Sequence, residues 1–109
     1  MSDYDVALEA AGAKVLAFER FGGYQGEFCA LVEHQGKRGW VIGSYGSCSG
    51  CDHYEGTFNY ETPDPKKLAE FGAGYLDEIL DQETAEKRAS EVWDEGEKAA
   101  AFVKKWGAS

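Results

Sequence analysis

Apolar residues fall into short, closely spaced runs in the first half of the chain and into wider stripes in the second. In residues 1–12, Val6, Leu8, Ala10 and Ala11 precede Gly12 and suit a helical turn or an extended lead-in equally. Residues 13–20 hold Val15, Leu16 and Phe18 in a compact run closed by Phe21-Gly22-Gly23, which predicts a strand. Residues 27–44 are interrupted at their centre by Gln35-Gly36. A two-residue turn there, with positive φ at Gly36, predicts a hairpin in which Glu33 opposes Arg38, Leu31 opposes Trp40, Ala30 opposes Val41 and Cys29 opposes Ile42. An ion pair and an aromatic–aliphatic pair then fall into register together, each a source of about 0.2–1 kcal/mol.

Residues 45–52 are a loop by composition, and 53–60, with Tyr54, Phe58 and Tyr60, predict a possible fourth strand. Asp64 before Pro65 is a helix start, because proline at the first helical position loses no hydrogen bond. Leu68, Phe71, Tyr75, Leu76, Ile79 and Leu80 continue at helical spacing and carry that helix to about Asp81. A second helix is predicted over 83–106, with Ala85, Ala89, Val92, Trp93, Gly96, Ala99, Ala100 and Val103 on one face and Lys104 and Lys105 at its carboxyl end. The expected architecture is α+β: one domain over 1–109, an antiparallel sheet of three or four strands packed against two C-terminal helices.

Composition narrows the function. The chain has 109 residues, 43% of them apolar, and a formal net charge of −9. Its three Trp, six Tyr and six Phe supply a core, so it is not a disordered acidic tail. The charge opposes direct binding to nucleic acid or anionic membranes and favours a basic protein surface. No positively charged leader and no long apolar run is evident, so a cytoplasmic location is expected.

Three cysteines are an odd number, which argues against a disulfide framework. Cys48-Ser49-Gly50-Cys51 is a C-x-x-C, and His53 stands two residues further on. These three ligands suit three corners of a tetrahedral zinc site, with Cys29 or His34 as a fourth. A redox role requires the motif to open a helix, which would lower the first thiol's pKa, and Asp52-His53-Tyr54-Glu55-Gly56 reads instead as strand or turn. A bland alternative is a tight loop of small residues with the cysteines packed as small hydrophobes.

Acidic residues are concentrated between 70 and 97, where ten acids face two bases, Lys87 and Arg88, leaving −8. On the predicted helices these acids avoid the apolar stripes and form an exposed negative surface, with Glu83, Glu86, Glu91, Asp94 and Glu95 as candidate partner-binding residues. Such a surface suits a basic partner, including one that handles nucleic acid, or serves solubility alone.

The segment Gly43-Ser44-Tyr45-Gly46-Ser47-Cys48-Ser49-Gly50-Cys51-Asp52, preceded by Ala30-Leu31-Val32-Glu33 and Gly39-Trp40-Val41, resembles small proteins encoded by bacteriophages and mobile elements. The likeness covers residues 24–56, about a third of the chain, and carries over no functional residue. It implies a setting in which small acidic proteins bind host or defence proteins, as anti-CRISPR proteins do. The expected function is therefore a non-enzymatic phage accessory or inhibitor protein using its acidic helices and needing no cofactor. The alternatives are a small zinc-binding domain built on Cys48, Cys51 and His53, and a C-x-x-C thiol redox protein.

Overall fold

A computed structural model describes residues 3–47, 50 and 52–108. The elements run α1 (Tyr4–Ala10), β1 (Lys14–Gly22), β2 (Gly26–His34), β3 (Lys37–Tyr45), α2 (His53–Phe58), α3 (Pro65–Leu76), α4 (Gln82–Ser90) and α5 (Gly96–Gly107). The strands form one antiparallel sheet in the order β1-β2-β3. The hairpin register is the expected one: Glu33 faces Arg38, Leu31 faces Trp40, Ala30 faces Val41 and Cys29 faces Ile42. Gln35 and Gly36 both take positive φ, 52° and 78°, the pairing of a type I′ turn whose twist matches the strands it joins.

The central strand decides the layering. Its run Phe28-Cys29-Ala30-Leu31-Val32 is buried throughout, so both faces of the sheet are covered. Phe28, Ala30 and Val32 pack with Val41 against Tyr4 and Leu8 of α1, Tyr54 and Phe58 of α2 and Leu76 of α3. Cys29 and Leu31 pack with Ala17, Phe21 and Trp40 against Ala85 and Ala89 of α4 and Ala99 and Val103 of α5. The C-terminal helices α4 and α5 thus cover one face, and α1, α2 and α3 the other. Helix α3 lies close on α1 because Gly72 rests against the Ala7 carbonyl.

Three expectations are corrected. Residues 53–60 do not form a fourth strand: Asp52 caps a helix, its carboxylate accepting from Glu55 N at 2.9 Å. Tyr54 and Phe58, four apart, share a face in either conformation, so spacing alone does not separate the two. Helix α3 stops at Leu76, short of Asp81, because Leu80 is drawn to the outer edge of β3. There its backbone exchanges hydrogen bonds of 2.8 and 2.9 Å with Trp40. Finally, the predicted helix over 83–106 is two helices, broken at a turn where Asp94 takes φ 66°. The break sends Trp93 outward instead of into the apolar face, leaving it 88% exposed.

Candidate functional site

One end of the sheet gathers the β1–β2 turn, the end of β3, the start of α2 and the α4–α5 turn. Asp52 organises one side of it. Its carboxylate is 2% exposed and accepts from the Tyr4 hydroxyl at 2.8 Å, from Gly46 N at 3.0 Å and from Glu55 N. Tyr54 N donates in turn to the Tyr4 hydroxyl at 3.2 Å. Burial and the Asp52 contact hold the Tyr4 hydroxyl protonated, well above the ordinary phenol range, so it remains the donor to the carboxylate. Because Gly46 and Asp52 stand at either end of the segment carrying the C-x-x-C, this contact closes that loop.

Cys48 and Cys51 themselves lie outside the described residues. His53 is exposed at the amino end of α2; its Nδ1 lies 2.9 Å from the Tyr75 hydroxyl and its ring 4.7 Å from that of Phe71. Burial pushes the Tyr75 hydroxyl up to about 12, so it is protonated at neutral pH. Cys29 is not brought to His53. It is buried against α4 and α5 on the opposite face, where desolvation and then Glu27 and Glu19 push its thiol up to about 12. His34, the other expected fourth ligand, pairs with Lys37 at the far end of the hairpin. Among the described residues no group of three or more His, Cys, Asp or Glu is placed to hold a metal ion.

The other side of this end is acidic and aromatic. Glu91 and Asp94 are exposed on either side of Trp93, and Trp93, Asp94 and Glu95 line a depression against Gly22, Gly23, Gln25 and Gly26. Tyr24, also 88% exposed, stands in that same β1–β2 turn. The turn is tied down from both flanks: Tyr45 donates its hydroxyl to the Gly23 carbonyl at 3.2 Å, and Glu95 accepts from Gly22 N at 3.3 Å. Arg20 lies over the Phe18 and Tyr45 rings, 5.3 and 5.8 Å from their centres.

The five acids expected to bind a partner divide. Glu83, Glu91 and Asp94 are exposed. Glu86 is half-buried and accepts from Gln82 Nε2 at 2.9 Å, the same side chain whose Oε1 takes the Trp40 indole N–H at 2.8 Å. Glu95 holds Gly22 and bonds Lys98 at 3.2 Å. Glu86 and Glu95 are therefore structural as well as acidic. Asp52, Tyr4 and Tyr24 were missed by the sequence reading. Asp52 had a local signal, a carboxylate opening the segment before Tyr54-Glu55, and Tyr24 had another, an aromatic set among turn glycines.

No family model, curated protein or solved structure matches the chain. Chemically, this end of the molecule offers exposed aromatic rings beside carboxylates, a combination that recognises cations. No helix among the described residues is long and apolar enough to cross a membrane.

Proposed function

We propose that the chain is a non-enzymatic accessory protein of phage type that binds a basic surface on a host or defence protein, one that handles nucleic acid, and modulates or inhibits it in the manner of anti-CRISPR proteins. The observation that carries this reading is Trp93, 88% exposed and flanked by Glu91 and Asp94. A large ring held in water by a left-handed turn brings apolar area to a contact, and the adjacent carboxylates select Lys or Arg on the other side. Tyr24, exposed in the β1–β2 turn, lines a separate hollow with Tyr45 and Tyr60.

The test is capture of the partner at low salt, its identification by mass, and titration of the purified pair. Trp93→Ala should weaken binding by about 2 kcal/mol, roughly thirtyfold, and Glu91→Lys with Asp94→Lys should abolish the salt dependence. Affinity unchanged between about 50 and 500 mM salt sinks the reading.

A second reading, zinc binding, has one observation in its favour: Tyr75 engages Nδ1 of the exposed His53, a contact of the kind that orients a ligating histidine. Protein purified without chelator decides it. Less than about a tenth of an equivalent of zinc removes this reading, whereas stoichiometric zinc with unfolding of Cys48→Ser and Cys51→Ser variants replaces the first.

A further inference from the structure

Asp52 and Glu55 are the buried acids among the described residues, and they differ in how they are satisfied. The Asp52 carboxylate takes donors from Tyr4, Gly46 and Glu55 N. Glu55, 8% exposed in the first turn of α2, accepts no hydrogen bond at its carboxylate and forms no ion pair among the described residues. A buried carboxylate is ordinarily paired or hydrogen-bonded, so this one marks a place where donors are missing. Its oxygens are not sealed inside the fold. Glu55 opens on a hollow of about 410 Å³, within the size range of small-molecule sites.

The wall of this hollow is aromatic. Tyr24 of the β1–β2 turn, Tyr45 at the end of β3 and Tyr60 beyond α2 line it, and Gly22, Gly23 and Gly46 add main chain without side chains. Tyr24 and Tyr60 are exposed, so their ring faces are open to a ligand. Tyr45 is fixed, by its hydroxyl's bond to the Gly23 carbonyl and by Arg20, whose guanidinium lies 5.8 Å from the ring centre. Tyr60 has φ 61°, directly after Asn59 at 52°, a left-handed conformation that a bulky residue rarely adopts. Arg20 and Glu55 are the one base and the one acid among the described lining residues, and their formal charges cancel.

We infer that this hollow binds a guanine nucleoside, with the base stacked on Tyr24 and Tyr60 and its Watson–Crick edge on the Glu55 carboxylate. Two carboxylate oxygens without partners call for two N–H donors side by side. Among the common bases guanine alone presents them, at N1 and the N2 amino group; in adenine, cytosine and uracil a donor borders an acceptor, which the carboxylate would repel. The guanidinium of a partner's arginine has the same fork of donors but sets a second positive charge beside Arg20, whereas guanine brings the donors without charge. The tyrosine faces supply the stacking by which proteins hold unpaired bases. A net charge of −9 opposes a phosphate strand, which selects the nucleoside over guanine within a nucleic acid.

The probe is guanosine, titrated into the full chain and followed by amide chemical shifts. Saturable binding is expected, with shifts at residues 20–24, 45–47 and 55–60. Inosine, which lacks the N2 amino group, and adenosine should each bind at least about tenfold more weakly. Glu55→Gln should weaken guanosine binding about tenfold. Tyr60→Gly should weaken it by a similar factor while the thermal midpoint holds or rises, because glycine relieves the left-handed backbone, so loss of binding is separated from loss of folding. A dissociation constant above about 1 mM, inosine binding as tightly as guanosine, full affinity in Glu55→Gln, or shifts centred on Trp93 would each overturn the site. Tighter binding by N-acetylarginine methylamide would make the hollow a cation site, and tighter binding by a guanosine-containing trinucleotide would make it a strand site; either result also overturns the proposal. None of these outcomes bears on the acidic turn at Trp93, so the two sites stand or fall separately.

Discussion

Removing the Asp52 carboxylate is the sharpest test of how this end of the molecule is held. Asp52→Ala leaves the Tyr4 hydroxyl, Gly46 N and Glu55 N without their acceptor. Losing the helix cap costs about 1 kcal/mol. Taking its carboxylate acceptor from the buried Tyr4 hydroxyl costs a further 1–3 kcal/mol, roughly. Gly46 lies nearer solvent and regains water at little cost, while removing a buried anion returns some desolvation energy. The net expectation is a loss of about 3 kcal/mol, read from urea unfolding followed by tryptophan fluorescence. Asparagine is an informative intermediate. With its one carbonyl oxygen turned to Tyr4 and Gly46, its amide opposes Glu55 N–H; turned the other way, it opposes Gly46. Either way a donor faces a donor, and the cost should be about 1–2 kcal/mol. Tyr4→Phe completes a cycle: the hydroxyl's bond to the carboxylate is lost in either single variant, so the double variant should show about 1–2 kcal/mol of coupling. Hydrogen exchange at Gly46 and Glu55 should accelerate before the core does. Additive losses, or an Asp52→Ala cost below about 1 kcal/mol, would refute the clamp.

Gly72 and Gly74 lie in the same helix, yet alanine should act oppositely at the two. At 72 the new Cβ meets the Ala7 carbonyl and forces α3 off α1, a loss of about 1–3 kcal/mol, whereas at 74 nothing lies within 4 Å and up to about 1 kcal/mol of helix propensity is gained. Thermal unfolding midpoints moving the same way for both would contradict the packing. Cys29 should resist disulfide reagents in the native protein at pH 8, since its thiol is fully buried and pushed up to about 12. Above about pH 9 the unfolded chain releases that proton while the folded chain keeps it, so stability should fall with rising pH, by up to about 4 kcal/mol near pH 12. Cys29→Ala should flatten this alkaline slope, leaving the part due to Tyr4 and Tyr75; an unchanged slope would show that Cys29 titrates normally.

What could be read in advance depended on whether the deciding contact was local. The hairpin was legible because its turn, Gln35-Gly36, sits between residues whose pairing satisfies charge and size at once. The start of α3 was legible because Asp64 caps it three residues away, at Lys67 N. Its end was not, because Leu80 leaves the helical path for hydrogen bonds to Trp40, forty positions distant in sequence. The expected strand over 53–60 is a helix because Asp52 caps it, and the burial of Asp52 depends on Tyr4 at the other end of the chain. Trp93 matched the apolar stripe of a continuous helix, and only the turn at Asp94 reverses its direction. Of the candidate metal residues, Cys29 was placed correctly in the sheet register, but a two-layer expectation hid the fact that its face is covered by α4 and α5.

The acidity changes meaning for the same reason. Ten acids within residues 70–97 look like one surface along the chain, but the fold divides them between the two sides of the sheet. Glu70 lines the cleft between α2 and α3, and Glu78 reaches Arg88 of α4 at 4.0 Å, an exposed contact too long to contribute much. Glu86 is committed to Gln82, and Glu95 to Gly22 and Lys98. Their summed field acts at long range, on the rate at which a basic molecule would associate. Specific contact needs shape as well as charge, and the turn around Trp93 brings both together. Glu95 is the boundary: on one side lie Trp93 and its carboxylates, on the other the groove between β1 and α5, where Glu95 is bonded to Lys98.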